Sequence, residues 1–176
     1  MTVMHEKIIS RPDQSGSNSC AAIIVAAGSG VRAASTSKFA SRQDSPHKPN
    51  NFATDNFGNY LPKQFWQLGD KPVIAHAFNY FHCHPAIAAI ILVVAEPFIP
   101  HMADILPETQ KPVHLVTGGT ARQDSVHAGL TALAGLKNCQ NIDYVAIHDA
   151  ARPLIPADLL GGLITAIDNI LSLIHI

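Results

Sequence analysis

Short apolar runs that stop abruptly in small, glycine-rich or charged loops recur along this chain, and they leave few folds open to it. Ala21–Ala26 reads AAIIVA and halts before Gly28-Ser29-Gly30. Ala88–Ala95 is closed by Glu96-Pro97, Val113–Val116 runs into Thr117-Gly118-Gly119, and Tyr144–His148 runs into Asp149-Ala150-Ala151-Arg152-Pro153. The runs are continuous more than alternating, as expected of strands buried on both faces. Between them lie helical stretches. From Pro72, the residues Val73, Ile74, Ala77, Phe78 and Phe81 recur at three and four and define one apolar face. A short helix is expected within 98–106, a helix capped by Asp124 or Ser125 runs to about Leu133, and a last one starts near Pro156 and Asp158. Strands alternating with helices predict an α/β fold: a mostly parallel twisted sheet with helices on both faces.

The chain has 176 residues, enough for one domain, since domains cluster near roughly 100–150 residues. Apolar residues make up 47% and charged residues 14%, a balance that builds a core and does not describe a disordered chain. Residues 1–18 and 33–60 differ: both are polar and without apolar period, and are expected to be a disordered leader and a flexible insertion in a domain spanning 19–170. Twelve Lys and Arg against thirteen Asp and Glu leave a net charge of −1, which argues against nucleic-acid binding through bulk charge. Any anionic ligand must therefore be met by a few placed cations. Cys20, Cys83 and Cys139 are odd in number and lack metal spacing, so a reducing compartment is expected. No apolar segment approaches the roughly 20 residues of a spanning helix, and no signal-peptide core opens the chain, so a cytoplasmic protein without membrane association is expected.

Four loops carry residues that chemistry can use. Ala26-Ala27-Gly28-Ser29-Gly30-Val31-Arg32 follows a strand, where small residues let backbone N–H groups approach a phosphate chain and an arginine adds a charge-assisted clamp. It is neither of the standard phosphate loops: Ala33 stands where a dinucleotide fold has its third glycine, and no G-K-[ST] is present. Pro62-Lys63-Gln64-Phe65 fixes the backbone just before a lysine, which aims its ammonium. Gly118-Gly119-x-x-Arg122-x-x-Ser125-Val126 brings backbone close enough to read a base edge, with Ser125 as N-cap or base contact. His148-Asp149-Ala150-Ala151-Arg152-Pro153 ends a strand in a carboxylate well placed for a cation at the rim of a sheet, with Arg152 able to neutralise it or hold a phosphate. Each loop also admits a plain structural reading, as a tight turn, an exposed lysine, a capped helix or an Asp–Arg pair closing a loop. Three of the four directly follow a strand, and in open α/β sheets ligands bind at the carboxyl ends of strands. His82-Cys83-His84 lacks partners at metal spacing, and no nucleophile elbow is present.

In this order the motifs AAGSGVR, PKQF, GGTARQDSV and VAIHDAARP closely resemble the cytidylyltransferases that join CTP to 2-C-methyl-D-erythritol 4-phosphate in the non-mevalonate isoprenoid pathway. The resemblance covers residues 21 to about 168. It implies a CTP-dependent nucleotidyltransferase with a Rossmann-like domain, a homodimer, Mg²⁺, and release of pyrophosphate with formation of 4-diphosphocytidyl-2-C-methyl-D-erythritol. By resemblance, Ala26, Ala27, Gly28, Ser29 and Gly30 wrap the triphosphate and part of the base. Arg32 and Lys63 are the catalytic cations that contact CTP. Gly118, Gly119 and Ser125 read cytosine. Asp149 holds Mg²⁺ near the ribose and substrate, and Arg152 sits by the sugar phosphate. A ribitol 5-phosphate cytidylyltransferase shares the CTP loops, and a catalytically inactive CTP-binding fragment is the non-enzyme alternative. A nicotinamide dehydrogenase would need the absent third glycine. The spacing from Arg32 to Pro62 is longer than the family pattern, and the family's C-terminal substrate residues and dimerisation arm find no counterpart. Residues 171–176, LSLIHI, read as translated sequencing adapter, so the chain is expected to be a C-terminally truncated member with a non-native tail.

Overall fold

A computed structural model of the chain describes residues 19–28, 61–137 and 141–173, with side chains to residue 168. The expected leader at 1–18 and insertion at 33–60 lie outside these residues, as do Ser29, Gly30 and Arg32. The elements in order are β1 (Cys20–Ala26), β2 (Gln67–Leu68), β3 (Lys71–Pro72), α1 (Val73–Cys83), β4 (Ile87–Val94), α2 (Met102–Ile105), β5 (Val113–Thr117), α3 (Arg122–Gly135), β6 (Tyr144–Asp149) and α4 (Leu159–Leu173). Single 3₁₀ stretches occupy Lys63–Phe65 and Glu96–His101.

The strands β5-β4-β1-β6 form one sheet, and every pairing in it is parallel. The mostly parallel sheet expected is thus observed, with every pairing of the main sheet parallel among the described residues and a separate antiparallel hairpin of β2 and β3. That hairpin was not anticipated. Its turn uses Gly69 at φ +67°, the left-handed conformation a two-residue hairpin turn asks of its first central residue.

The central strands explain the unbroken apolar runs. Cys20, Ala22 and Ile24 of β1, with Ile90, Leu92 and Val94 of β4, face Ile74, Phe78 and Phe81 of α1, Met102 of α2 and Leu160 of α4. The alternate residues Ala21, Ile23, Ile91 and Val93 face the opposite layer, where Leu133 of α3 closes over them. Both faces of β1 and β4 are therefore dry, and each fully buried Ile, Leu or Val contributes about 1.5–3 kcal/mol. The apolar face expected on α1 is the buried one, with Val73 at its half-buried margin.

Two helix starts differ from expectation. The helix expected to be capped by Asp124 or Ser125 begins earlier, at Arg122, with Ala121 as the flanking residue. Asp124 instead lies one turn in and reaches back, its Oδ2 accepting from the Ala121 N–H at 2.9 Å. That contact satisfies a donor the helix leaves open, which is the N3 half of a capping box. The short helix expected within 98–106 is a 3₁₀ stretch passing into a single α turn, since Pro97 and Pro100 withhold the N–H groups a longer helix needs.

The order of the strands fixes where a ligand can sit. The crossovers from β1 to β4 and from β4 to β5 run through α1 and α2 on one face, and the crossover from β5 to β6 runs through α3 on the other. The chain then returns to lay β6 beside β1. Strand order reverses between β1 and β6, and crevices open outside the carboxyl ends of strands at such a reversal.

Candidate functional site

The described parts of all four sequence motifs meet at that rim, through contacts between residues far apart in the chain. The first link joins the glycine loop to the lysine turn. Gln64 donates its amide to the carbonyl of Ala26 at 2.7 Å and to that of Gly28 at 2.9 Å. The turn around it is rigidly seated. Phe65 is buried and stacks on Phe98 with ring centres 4.5 Å apart, and Trp66 donates its indole N–H to the Leu61 carbonyl at 2.8 Å. Pro62, Gln64 and Phe65 are all buried, and Lys63 between them is exposed. The Lys63 side chain thus lies at the surface of the turn, while its neighbours anchor the backbone beneath it.

The second link joins the glycine loop to the Gly118-Gly119 loop. Gly118 follows β5, and its N–H donates to the Val94 carbonyl at 2.9 Å. A Cβ there would stand 2.1 Å from the Cβ of Ala27 and 2.9 Å from Ser125 Oγ, so only glycine fits. At Gly119 a Cβ would come within 2.3 Å of the Asp124 Cβ. Ser125 is buried inside the first turn of α3. Its Oγ accepts from the Gly119 N–H at 3.2 Å and lies 3.2 Å from the Ala121 carbonyl, to which it donates. Ser125 thus braces the loop and is not the N-cap.

The third link joins the Gly118-Gly119 motif to Asp149. Arg122 at the start of α3 donates its Nε–H to Asp149 Oδ1 at 2.8 Å. Arg152 approaches the other oxygen only to 3.6 Å and is itself 79% exposed. Asp149 is the last residue of β6, and the next N–H, that of Ala150, donates to the Val25 carbonyl of β1 at 2.9 Å. The expected pairing of Asp149 with Arg152 therefore exists but is the looser of two. Arg122, to which the motif's pattern assigns no role, makes the tighter one. Neighbouring His148 is half-buried against Phe81, and donates from Nε2 to the Arg152 carbonyl at 2.9 Å. Burial pushes its imidazole below the ordinary value, against the opposing pull of that hydrogen bond and of Asp149.

The structure therefore brings together Ala26, Ala27, Gly28, Lys63, Gly118, Gly119, Ser125, Asp149 and Arg152, and adds Gln64 and Arg122. Ser29, Gly30 and Arg32 lie outside the described residues. Among the described residues no three His, Cys, Asp or Glu side chains cluster as metal ligands, and no helix is long and apolar enough to cross a membrane.

A parallel sheet in this strand order, with helices on both faces and its small-residue loops at the switch point, is a doubly wound α/β domain. The model of the family described as IspD, 2-C-methyl-D-erythritol 4-phosphate cytidylyltransferase, matches residues 55–175, and the chain belongs to that family. The bifunctional enzyme IspD/IspF of Rhizorhabdus wittichii is 37% identical over 155 residues, 88% of this chain and 32% of that protein. The 2-C-methyl-D-erythritol 4-phosphate cytidylyltransferase of Clostridium botulinum is 39% identical over 102 residues, 57% of this chain and 42% of the relative. A ribitol-5-phosphate cytidylyltransferase of Lactiplantibacillus plantarum is 32% identical over 109 residues, 61% of this chain and 47% of the relative. The chain thus spans less than half the length of these curated relatives. Among solved structures, 4-diphosphocytidyl-2C-methyl-D-erythritol synthase of Anaerococcus prevotii superposes with a TM-score of 0.57 at 23% identity, covering 86% of this chain and 51% of that one, and it supports the fold.

Proposed function

We propose that this chain carries the CTP-binding part of an enzyme that transfers a cytidylyl group to 2-C-methyl-D-erythritol 4-phosphate. The observation that carries the reading is the convergence of four sequence-distant motifs at the switch point, through Gln64, Gly118 and Arg122. In the reaction, an oxygen of the acceptor's phosphate attacks the α-phosphorus of CTP, the bond to the β-phosphate oxygen breaks, and pyrophosphate leaves. The acceptor is itself the nucleophile. The protein is asked only to position the two phosphates and to offset charge growing on the α-phosphoryl and leaving group.

The residues divide that work. Ala26 to Gly30 wrap the triphosphate, Gly118 and Gly119 offer backbone groups to cytosine with Ser125 bracing them, and Lys63 and Arg32 meet the charge at phosphorus. Asp149 suits one Mg²⁺: Mg²⁺ is commonly held by one or two carboxylates together with substrate phosphates, and one oxygen of Asp149 is only loosely engaged by Arg152. When bound, the ion neutralises phosphate charge. Arg122 keeps the carboxylate oriented throughout, and Arg152 is free to turn to the acceptor phosphate. A homodimer in a cytoplasmic setting belongs to the same proposal.

Calorimetric titration with CTP, with and without Mg²⁺, tests it, with ATP and NADH as controls. CTP-selective binding that strengthens with Mg²⁺ is expected. Equal binding of ATP, or binding of NADH alone, overturns it. The similarity to the ribitol-5-phosphate enzyme sets the acceptor test: pyrophosphate release with each polyol phosphate, from a chain extended to the relatives' length, separates the two.

A further inference from the structure

We propose that Gln64 is a positioning residue, a latch that sets the glycine loop and Lys63 at a fixed separation before CTP arrives. The inference rests on the CTP reading above for its ligand, but its structural core does not. Gln64 is 5% exposed, and both acceptors of its side-chain nitrogen are backbone carbonyls, which can only accept. The amide orientation is therefore settled by its partners: the NH₂ group faces the loop.

The two bonds do more than fill a buried polar requirement. Ala26 and Gly28 are two residues apart, and their carbonyls converge on one donor nitrogen 36 to 38 residues further along the chain. In a trans peptide the C=O and the following N–H point in opposite directions, and the described backbone has no cis bond. Drawing the Ala26 carbonyl toward Gln64 therefore turns the Ala27 N–H away from it. A loop that binds phosphate needs N–H groups presented and C=O groups withdrawn, because a carbonyl dipole aimed at an anion repels it. Gln64 supplies that withdrawal from the side opposite the ligand.

The latch also fixes Lys63. The same residue that holds the loop is covalently next to the lysine, and Phe65 on its other side is anchored against Phe98. Displacement of the loop relative to the turn has to break two hydrogen bonds, the one to Ala26 buried and the one to Gly28 part-buried. A glutamine is suited to this: it gives two N–H donors from one atom without the charge that a lysine would bury beside the phosphates.

Two variants test the latch. Gln64→Met keeps the volume and removes the donors. Gln64→Glu keeps the shape but at neutral pH sets a carboxylate against two carbonyls, and on acidification regains one donor. Hydrogen exchange of peptides covering residues 20–28, measured without nucleotide, should rise in Gln64→Met while peptides of α3 stay protected. CTP affinity should fall at least about tenfold. In Gln64→Glu, affinity relative to the parent chain at the same pH should be low at pH 8 and recover toward pH 5. Unchanged exchange in 20–28 together with parent-like CTP affinity overturns the latch. If Gln64→Met fails to fold, Gln64→Glu decides: parent-like affinity at pH 8, or no recovery at pH 5, overturns it. If the parent chain itself fails to bind CTP, the functional reading falls, and the exchange measurement still decides the latch.

Discussion

At the scale of single residues, Asp149 is the most informative position. Its contacts with Arg122 and Arg152 are between side chains that stay partly or largely exposed, and such pairs contribute about 0.2–1 kcal/mol to stability. Asp149→Asn is therefore expected to cost little in thermal unfolding, yet to abolish the strengthening of CTP binding by Mg²⁺, because an amide is a poor ligand for a hard cation. Paired melting and calorimetric curves check this, and a large stability loss with Mg²⁺ dependence intact would contradict it. Gly118→Ala should do the reverse. Its new methyl would overlap Ala27 and Ser125, and overpacking of this kind costs about 1–3 kcal/mol, read as a lowered denaturation midpoint along with weakened CTP binding. Asp149 was legible in the sequence because an acid closing an apolar strand has no business in a core. Gln64 and Arg122 were not: each looks like an ordinary polar surface residue until the partner 38 or 27 positions away is brought to it.

Among the elements, α3 shows how closely a helix must approach the sheet for its first turn to reach the rim. Gly129 is the contact point, and a Cβ there would stand 2.7 Å from Ile23 Cγ2 and 3.1 Å from Val93 Cγ2. Gly129→Ala has to push α3 outward, carrying Ser125 and Arg122 with it. A loss of about 1–3 kcal/mol is expected by chemical denaturation. Gly162 in α4 is the opposite case, exposed and with nothing near its missing side chain. Gly162→Ala should stabilise by about 0.5–1 kcal/mol, since alanine loses less backbone entropy on entering a helix. If Gly129→Ala stabilises as Gly162→Ala is expected to, the close seat of α3 is wrong. The strands were readable as elements because β1 and β4 are dry on both faces and have no polar residue to blur the run. The start of α3 was misplaced because a capping side chain can sit at the flank or reach back from the first turn, and Asp124 does the second. The β2–β3 hairpin escaped notice because two-residue strands have no period, although Gly69-Asp70 carries a turn signature.

Over the whole molecule, three of the motifs fall on one rim because a parallel sheet sends every strand's carboxyl end the same way, and Gln64 ties the fourth to them. The order of the strands was not written in the sequence, since short apolar runs do not say which neighbour each will choose. Among the described residues, that order leaves two apolar surfaces open. Val145 and Ile147 of the edge strand β6 are 39% and 43% exposed, on the face that α3 covers over β1 and β4 but not here. On α4, Leu160 and Ile164 face the core, while Leu159, Leu163 and Ile167 recur every four residues on an exposed side. A helix apolar on two sides, beside a half-bare edge strand, is a surface that binds hydrophobic probes and its own kind. The chain is expected to enhance the fluorescence of an anilinonaphthalene dye while folded, and to self-associate as its concentration rises. Val145→Thr and Leu163→Lys should each lower the dye signal, and because they sit on opposite faces of β6 their effects should add. Native-like circular dichroism with an undiminished dye signal in the double variant would show that these two surfaces are not the ones the dye finds.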